Sequence, residues 1–432
     1  AVAINMIAQW DSDNSKWVAK ETGLADPIDA IVATDDTHTY LVVSSSGAAT
    51  SSINGTDWNA LSGCMGYLAI LDNRLHGFYG QTLYSSRPRD IDGSWGSWTA
   101  SDYFGTVHGL FQGKLLKTDE PVLYLNASEG FWALDVWTHQ AYKQEISYPP
   151  YTYAGYCGMY WNSYVWVSTG PGIKKIASGT VTDIGTDQDD GLPSGYQGAV
   201  FDMIGLTDWM IFCVNGGATQ KSTIFKRHGT LGGNHQVYTG VAGKAIRCLH
   251  FSPSSLYTNG RLWWGEDIDI KYCMMPDFNA KPTEVSGYEF ITTSGKMILA
   301  TYRPVAVMAK AALAVRGITK GCSATKKITI YYAINDGAWV KLGDFTSSPL
   351  PTALTFTSGK GTEYYRIKLG VDMATNSSAA TPELECLVLS SRINPVGIKG
   401  WQFNIPCTQH NAEEYIARLE AIEAKTVLVD FY

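Results

Sequence analysis

Apolar runs of four or five residues recur along the first two thirds of the chain. Each is followed by a turn rich in Gly, Ser or Asp and then by a second run. Tyr40-Leu41-Val42-Val43 leads through Gly47 to Thr50–Ile53, Arg74–Phe78 through Gly80 to Leu83-Tyr84, and Val122–Leu125 through Gly130 to Phe131–Leu134. The unit returns at Tyr164–Val167 with Ile173–Ile176, at Trp209–Phe212 with Thr223–Phe225, and at Arg261–Trp264 with Ile268–Tyr272. Runs this short, bounded by turn formers, predict strands paired in hairpins. The six units start at residues 40, 74, 122, 164, 209 and 261, at uneven steps of 34 to 52 residues. A propeller blade of four strands occupies roughly 40–50 residues.

Each hairpin is therefore expected at the middle of a blade. Further strands should come from the segments between hairpins: Met65–Leu71, Val107–Phe111, Tyr153–Met159, Ala199–Ile204 and Ala245–Phe251. A lone blade cannot bury both faces, and packing blades in a ring does so while protecting the edges. The pattern predicts a β-propeller of about six blades over 26–289, after an N-terminal segment 1–25. Five or seven blades also fit the uneven steps.

The period stops after Glu289. Lys327–Tyr332 alternates, Asn335-Asp336-Gly337 makes a turn, and Trp339–Leu342 returns. Tyr364–Leu369 and Leu384–Ser390 are further strands, with loops at Ser347–Pro351 and Thr375–Thr381. This predicts a β-sandwich of jelly-roll type over 290–395. In 396–432, Gly400–Ile405 reads as a strand. Asn411-Ala412-Glu413-Glu414 opens a helix with Tyr415, Leu419 and Ile422 on one face, and Thr426–Phe431 reads as a last strand. That β-α-β unit is too small to stand alone, so it should dock on a neighbour. The fold class expected is all-β.

Composition narrows the function. The chain has 432 residues, 12% aromatic and 17% charged, with 43 glycines, which suits short strands and tight turns. A net charge of −7 with no basic run argues against nucleic acid. No apolar stretch reaches the ~18–20 residues of a membrane span, so no membrane insertion is expected. Ala1–Trp10 lacks a basic region and runs into Asp11-Ser12-Asp13, so it does not read as a signal peptide; without an initiator Met, the chain is expected to be processed or partial. None of the eight cysteines forms a C-x-x-C pair, and most lie in apolar strand contexts. They read as buried free thiols of a protein folded in a reducing compartment.

Ser52-Ile53-Asn54-Gly55-Thr56-Asp57-Trp58 resembles the Asp-box hairpin found in sialidase-like and many non-enzymatic propellers. Its role would be structural: Asn54 and Gly55 take turn conformations, Ser52 opens the turn and Trp58 packs on the blade edge. A sialidase would also need clustered arginines and a Tyr nucleophile, a pattern the few arginines do not make. Asp187-Gln188-Asp189-Asp190-Gly191 has part of a calcium-loop spacing, making Asp187 and Asp189 metal candidates, but the distal Glu is missing and an acidic surface loop explains it as well. Cys407 and His410 are at background spacing for a thiol–imidazole pair. The sequons at Asn54, Asn126 and Asn376 are read as chance. No H-E-x-x-H, G-x-S-x-G or phosphate loop is present. No cofactor and no catalytic residue is expected.

The layout resembles uncharacterised structural proteins of tailed bacteriophages and prophages. The likeness lies in the blade end Leu262-Trp263-Trp264-Gly265 with Ile270-Lys271-Tyr272, in the pair Ile330-Tyr331-Tyr332 with Asp336-Gly337-Ala338-Trp339, and in Leu387–Pro395 followed by Gly400-Trp401-Gln402-Phe403 and an amphipathic helix. The resemblance implies a non-enzymatic virion component of the tail or surface, assembled in the host cytoplasm. Its partners would be other virion proteins in a symmetric homo-oligomeric assembly, with host-surface glycan as a further partner. The alternatives are a secreted carbohydrate-active propeller enzyme with a binding module, for which Asp267 and Asp269 are candidate acids, and a cellular adhesion or scaffold propeller.

Overall fold

A computed structural model describes residues 28–393, apart from short gaps of which the longest are 189–195, 254–259, 276–281 and 304–307. It also describes the strands β1 (Met6–Asp11) and β2 (Lys16–Thr22), which pair with each other. The expected β-α-β unit, with Cys407 and His410, lies outside the described residues. The described chain is all-β: its only helical segments are short 3-10 turns, and none of its helices is long and apolar enough to cross a membrane.

Six antiparallel meanders follow one another. The first sheet is β3 (Asp29–Thr34), β4 (Thr39–Ser44), β5 (Ala49–Ser52) and β6 (Asn59–Leu61), in sequence order. The second is β7 (Tyr67–Leu71), β8 (Arg74–Tyr79), β9 (Thr82–Ser85) and β10 (Gly96–Thr99). The third is β11 (Val107–Lys114), β12 (Pro121–Ala127), β13 (Gly130–Asp135) and β14 (Gln140–Lys143). The fourth is β15 (Ala154–Trp161), β16 (Tyr164–Thr169), β17 (Ile173–Ala177) and β18 (Thr180–Asp183). The fifth is β19 (Ala199–Gly205), β20 (Trp209–Asn215), β21 (Lys221–His228) and β22 (Gly232–Ala242). The sixth has three strands, β23 (Ile246–Ser252), β24 (Arg261–Glu266) and β25 (Asp269–Met274). Every hairpin marked by the repeat falls on the second and third strands of one sheet.

The core lies between the sheets. Tyr40 and Val42 of the first sheet share a cluster with Leu68 and Leu75 of the second. Phe78 and Leu83 pack with Leu110 and Leu123 of the third, and Tyr124 and Phe131 with Val165 and Val167 of the fourth. Trp166 and Ile173 pack with Met210 and Phe212 of the fifth, and Ile211 and Ile224 with Leu262 and Trp264 of the sixth. Polar bonds reinforce these joins. Between the fifth and sixth sheets, the enclosed Glu266 carboxylate accepts from Lys271 Nζ at 2.6 Å, Tyr238 OH at 2.7 Å and the Val241 N–H at 2.7 Å. Burial alone would raise the Glu266 carboxyl, but these donors hold it below its usual range.

After the meanders the strand order changes. β26 (Gly295–Ile298), β32 (Ile367–Ala374), β28 (Lys327–Ile334) and β29 (Val340–Phe345) form one sheet in that order. β27 (Lys310–Lys320) pairs with β30 (Leu354–Thr355), β31 (Thr362–Tyr364) and β33 (Glu383–Ile393) in another. Ile328, Ile330, Val371 and Phe345 of the first share a core with Val315, Tyr364 and Phe356 of the second. Six cysteines fall among the described residues and all are free, but only Cys157 and Cys213 are fully buried; Cys248 is exposed and Cys273, Cys322 and Cys386 are intermediate. The expectation of generally buried thiols therefore holds in full for those two alone; Cys273 and Cys322 pack only partly buried against the core, and Cys248 lies in the β23 bulge.

The join between the first two sheets turns on Gly66. Its φ of +77° is one that L side chains avoid, its N–H donates to the Ser45 carbonyl at 3.0 Å, and Ser44 Oγ donates to its carbonyl. A Cβ there would overlap the Phe78 carbonyl oxygen. Gly66→Ala should therefore lower stability by about 3 kcal/mol or more, read as the midpoint of chemical denaturation; an unchanged midpoint would contradict this account of the join.

Candidate functional site

Four of the first strands are bulged near their start. The register slips between Val107 and Gly109 in β11, between Ala154 and Gly158 in β15, between Val200 and Asp202 in β19 and between Ile246 and Leu249 in β23. A bulge leaves a residue without a ladder partner and re-aims its side chain. The residues released include His108, Tyr156, Phe201 and Arg247, and these four meet in series. His108 stacks on Tyr156 with ring centroids 4.7 Å apart, Tyr156 meets Phe201 edge-on at 4.9 Å, and the Arg247 guanidinium lies 5.9 Å from the Phe201 ring. Tyr153 closes on both Tyr156 and Phe201, at 5.3 and 5.1 Å. Five aromatic and basic side chains from four consecutive sheets thus line one end of the first strands.

Two carboxylates sit in the same neighbourhood and are bonded alike. Asp29 accepts the Ala30 N–H at 2.8 Å and, across to the second sheet, the Leu68 N–H at 2.9 Å. Asp202 accepts the Met203 N–H at 2.8 Å and, across to the sixth sheet, the Leu249 N–H at 2.7 Å. In each, one oxygen is held by the residue's own strand and the other by the first strand of the next sheet. Burial pushes Asp202 up to about 7 against the pull of these two N–H donors, and the negative charge of Asp29 adds to the rise. Asp29 is likewise raised by burial against its own donors. Tyr67 is raised by burial, by Tyr156 and by Asp29, and His108 is lowered by burial. Groups from the first, second, fourth and fifth sheets thus feel one another at this end.

The sequence marked other residues, and the structure scatters them. Ser52, Asn54, Gly55 and Trp58 do form a turn, at the far edge of the first sheet between β5 and β6. Ser52 Oγ accepts the Gly55 N–H at 2.8 Å and donates to Asn54 Oδ1 at 3.1 Å, Asn54 Oδ1 accepts the Asp57 N–H at 2.9 Å, and Gly55 has φ +73°. Trp58 is half-buried with its indole N–H enclosed and unbonded. Asp187 lies on a 3-10 turn and accepts Gln188 Nε2 at 3.1 Å, while Asp189 lies outside the described residues. Among the described residues no three His, Cys, Asp or Glu side chains gather as a metal would require. Asp267 and Asp269 flank Lys244 Nζ at 3.7 and 3.9 Å on the surface of the sixth sheet. Of the sequons, Asn126 is fully buried in β12.

Sequence reasoning passed over the bulge residues because each sits inside a segment read as an ordinary inner strand. The signal was present: His108, Tyr156, Asp202 and Arg247 are polar or polar-tipped residues at the same early place in otherwise apolar segments.

No family model matches the chain, and no curated protein matches it. Among solved structures it is similar to a chain of a mitotic checkpoint complex, at 12% identity over 62% of this chain and 80% of that one, with a TM-score of 0.42. It is also similar to a dihydro-heme d1 dehydrogenase, at 13% identity over 64% of this chain and 63% of that one, with a TM-score of 0.40. An exo-β-1,3-galactanase from Phanerochaete chrysosporium matches at 8% identity over 89% of this chain and 99% of that one, with a TM-score of 0.30. All three likenesses are too distant to bear on activity or ligand.

Asp202 and the enclosed His76 give stability a distinctive pH dependence. Asp202 is raised on folding, so its contribution is complete below the unfolded carboxyl value and is lost as pH rises through about 7. His76, bonded to Ser85 Oγ at 2.8 Å, is pushed down to about 4 by burial, so its contribution is present above about 6.5 and is lost as pH falls through 4. The two slopes oppose each other between pH 4 and 7. Asp202→Asn should unmask the His76 slope, giving a variant whose denaturation midpoint rises with pH more steeply than that of the parent. Equal slopes in the two proteins would rule out a buried, titrating Asp202.

Proposed function

We propose that the six meanders are the blades of a six-bladed β-propeller, that the two following sheets are a β-sandwich, and that the whole is a non-catalytic adhesion or assembly protein of a virion tail or surface. The observation that carries the non-catalytic reading is the bonding of the two axial carboxylates. Asp29 and Asp202 each have both oxygens bonded to backbone N–H groups, one of them on another sheet, which suits acids that tie strands together. Repetition of one bonding pattern at two places in the repeat is the mark of a structural device. The ring supports the same reading. Consecutive sheets share core clusters, and the charge of Asp29 in the first sheet contributes to the raised carboxyl of Asp202 in the fifth. The join of the sixth sheet to the first is what the propeller reading adds. The virion setting rests on the resemblance of the blade ends and sandwich strands to phage structural proteins.

One observation favours a second reading, a carbohydrate-active enzyme: a carboxyl raised to about 7 beside aromatic rings is what a general acid requires. Asp202→Asn separates the two. The adhesion reading expects no glycan cleavage by the parent protein. The enzyme reading expects hydrolysis of oligosaccharides that the variant abolishes while staying folded. For the first reading, mass spectrometry of purified particles should detect the chain at a copy number that is a multiple of the particle's local symmetry; its absence from particles would sink the virion assignment.

A further inference from the structure

The third strand of the fifth sheet, β21, carries Lys226, Arg227 and His228 in succession at its end. Register decides where each side chain stands. Lys226 lies opposite Ile211, which packs toward Leu262 and Trp264 of the sixth sheet. Arg227 lies opposite Met210, which packs toward Trp166 and Ile173 of the fourth. The two charges therefore stand on opposite faces of β21, one at each seam with a neighbouring sheet. Two further bases join them. His235 of β22 is opposite Lys226, and Lys175 of β17 is opposite Trp166, on the side of the fourth sheet that packs toward Met210. The fourth and fifth sheets touch at this end, where Trp161 Nε1 donates to the Leu206 carbonyl at 2.5 Å.

Rings and a neutral amide hold these bases. Lys175 Nζ lies 3.8 Å from the Tyr164 ring centroid, and Lys226 Nζ lies 4.3 Å from that of Trp209. His228 and His235 meet Trp209 edge-on, at 5.0 and 5.8 Å. Arg227 Nη1 donates to Asn234 Oδ1 at 3.1 Å. A ring or an amide steadies a cation without cancelling its charge. Other cations of these sheets meet carboxylates: Lys271 meets Glu266, and Lys244 lies between Asp267 and Asp269. Lys174, next to Lys175 but on the face toward the third sheet, meets Asp183. The charges that act on His235 are all positive: burial first, then Lys226, Arg227 and His228, push it below its ordinary value. His228 accepts the Thr230 N–H through Nδ1 at 3.1 Å, which puts its own proton on Nε2 as a donor. His235 is exposed, and Lys175, Lys226, Arg227 and His228 are half-buried, none of them enclosed.

We propose that the β21–β22 hairpin and its two seams bind an acidic glycan, a chain of sugars bearing sulfate or carboxylate groups. Charges on both faces of one edge hairpin suit a polymer of anions, because a single small anion would reach one seam only. Lys226 and His235 take an anionic group at the seam with the sixth sheet, and Lys175 and Arg227 take another at the seam with the fourth. The rings argue against a single-stranded nucleic acid, whose bases need open aromatic faces to stack on, since cations already lie over Tyr164 and Trp209. A nucleic-acid duplex carries one charge per ~1.7 Å of its axis, and the acidic remainder of a chain of net charge −7 repels so dense an array. An acidic glycan spaces its charges more widely. Only the biological role of this binding rests on the adhesion reading; the binding itself needs neither the virion setting nor a closed ring.

The test titrates the purified full chain with dextran sulfate, polygalacturonate, neutral dextran and a thymidine oligonucleotide, read by calorimetry and tryptophan fluorescence. At least one of the two acidic glycans should bind saturably and neutral dextran should not. Raising the salt from ~50 to ~500 mM should weaken the binding. The double variant Lys226→Gln with Arg227→Gln should weaken it by about tenfold or more, the factor that corresponds to about 1.4 kcal/mol. Lys226→Gln alone should weaken it in the same sense, which keeps the test open should the double variant unfold. Arg227→Lys keeps the charge and should bind far better than Arg227→Gln. Lys143→Gln, at an exposed lysine beside Trp132 on the third sheet, should leave binding unchanged. The proposal is overturned if neither acidic glycan binds at up to about 1 mM, already a weak affinity, or if folded Lys226→Gln and Arg227→Gln variants bind as the parent does. It is also overturned if the oligonucleotide binds more tightly than both glycans, which would make the site one for nucleic acid. None of these outcomes bears on the presence of the chain in particles, so the two readings fail separately.

Discussion

A four-stranded antiparallel sheet with apolar residues on both faces has nowhere to put the second face unless another sheet covers it. That requirement governs the first six sheets of this chain. Val42, Leu123, Val167, Phe212 and Leu262 are all enclosed, and each belongs to a cluster drawn from two consecutive sheets. The core is thus a series of interfaces, as in other architectures built by repetition. Area burial sets the sheets side by side but does not fix their angle or offset. The directional bonds do that: Gly66 to Ser45, Asp29 to Leu68, Glu266 to Val241 and Asp202 to Leu249.

The bonded carboxylates give the polar and aromatic groups at one end of the first strands a structural role. Bulges at Val107, Ala154, Val200 and Ile246 twist these first strands locally. The displaced rings pack against one another, and Asp29 and Asp202 each accept a backbone amide from the first strand of another sheet. Asp202 is raised because it is enclosed, and two N–H donors offset only part of that penalty.

Much of the architecture was legible in the sequence, and for a definite reason. A hairpin such as Val122–Leu134 advertises itself, since both strands are apolar and Gly130 takes φ +140° at the turn. The alternation of Lys327–Tyr332 and the turn at Asn335-Asp336, both at positive φ, were equally plain. The outer strands were not: Gln140–Lys143 and Thr180–Asp183 are mostly exposed and polar, so no pattern sets them apart from loops. The hairpin Met6–Asp11 with Lys16–Thr22 was passed over as a mere N-terminal segment. The cluster at this end of the first strands was hidden because its members are far apart in sequence and several are displaced by bulges. The roles of Lys226 and Arg227 were hidden likewise, since the seam that each faces depends on register, which alternation alone does not reveal.

The offset of the first sheet on the second and of the fifth on the sixth depends on the carboxylates of Asp29 and Asp202 acting as ties. Amide hydrogen exchange at Leu68 and Leu249, the two N–H groups that Asp29 and Asp202 accept, tests this most directly. The account predicts that both amides exchange only with global unfolding in the parent, and that Asp202→Ala speeds exchange at Leu249 by orders of magnitude beyond its effect at Leu68. Exchange at Leu249 as fast as in an exposed loop of the parent protein, or unaffected by the substitution, would contradict it.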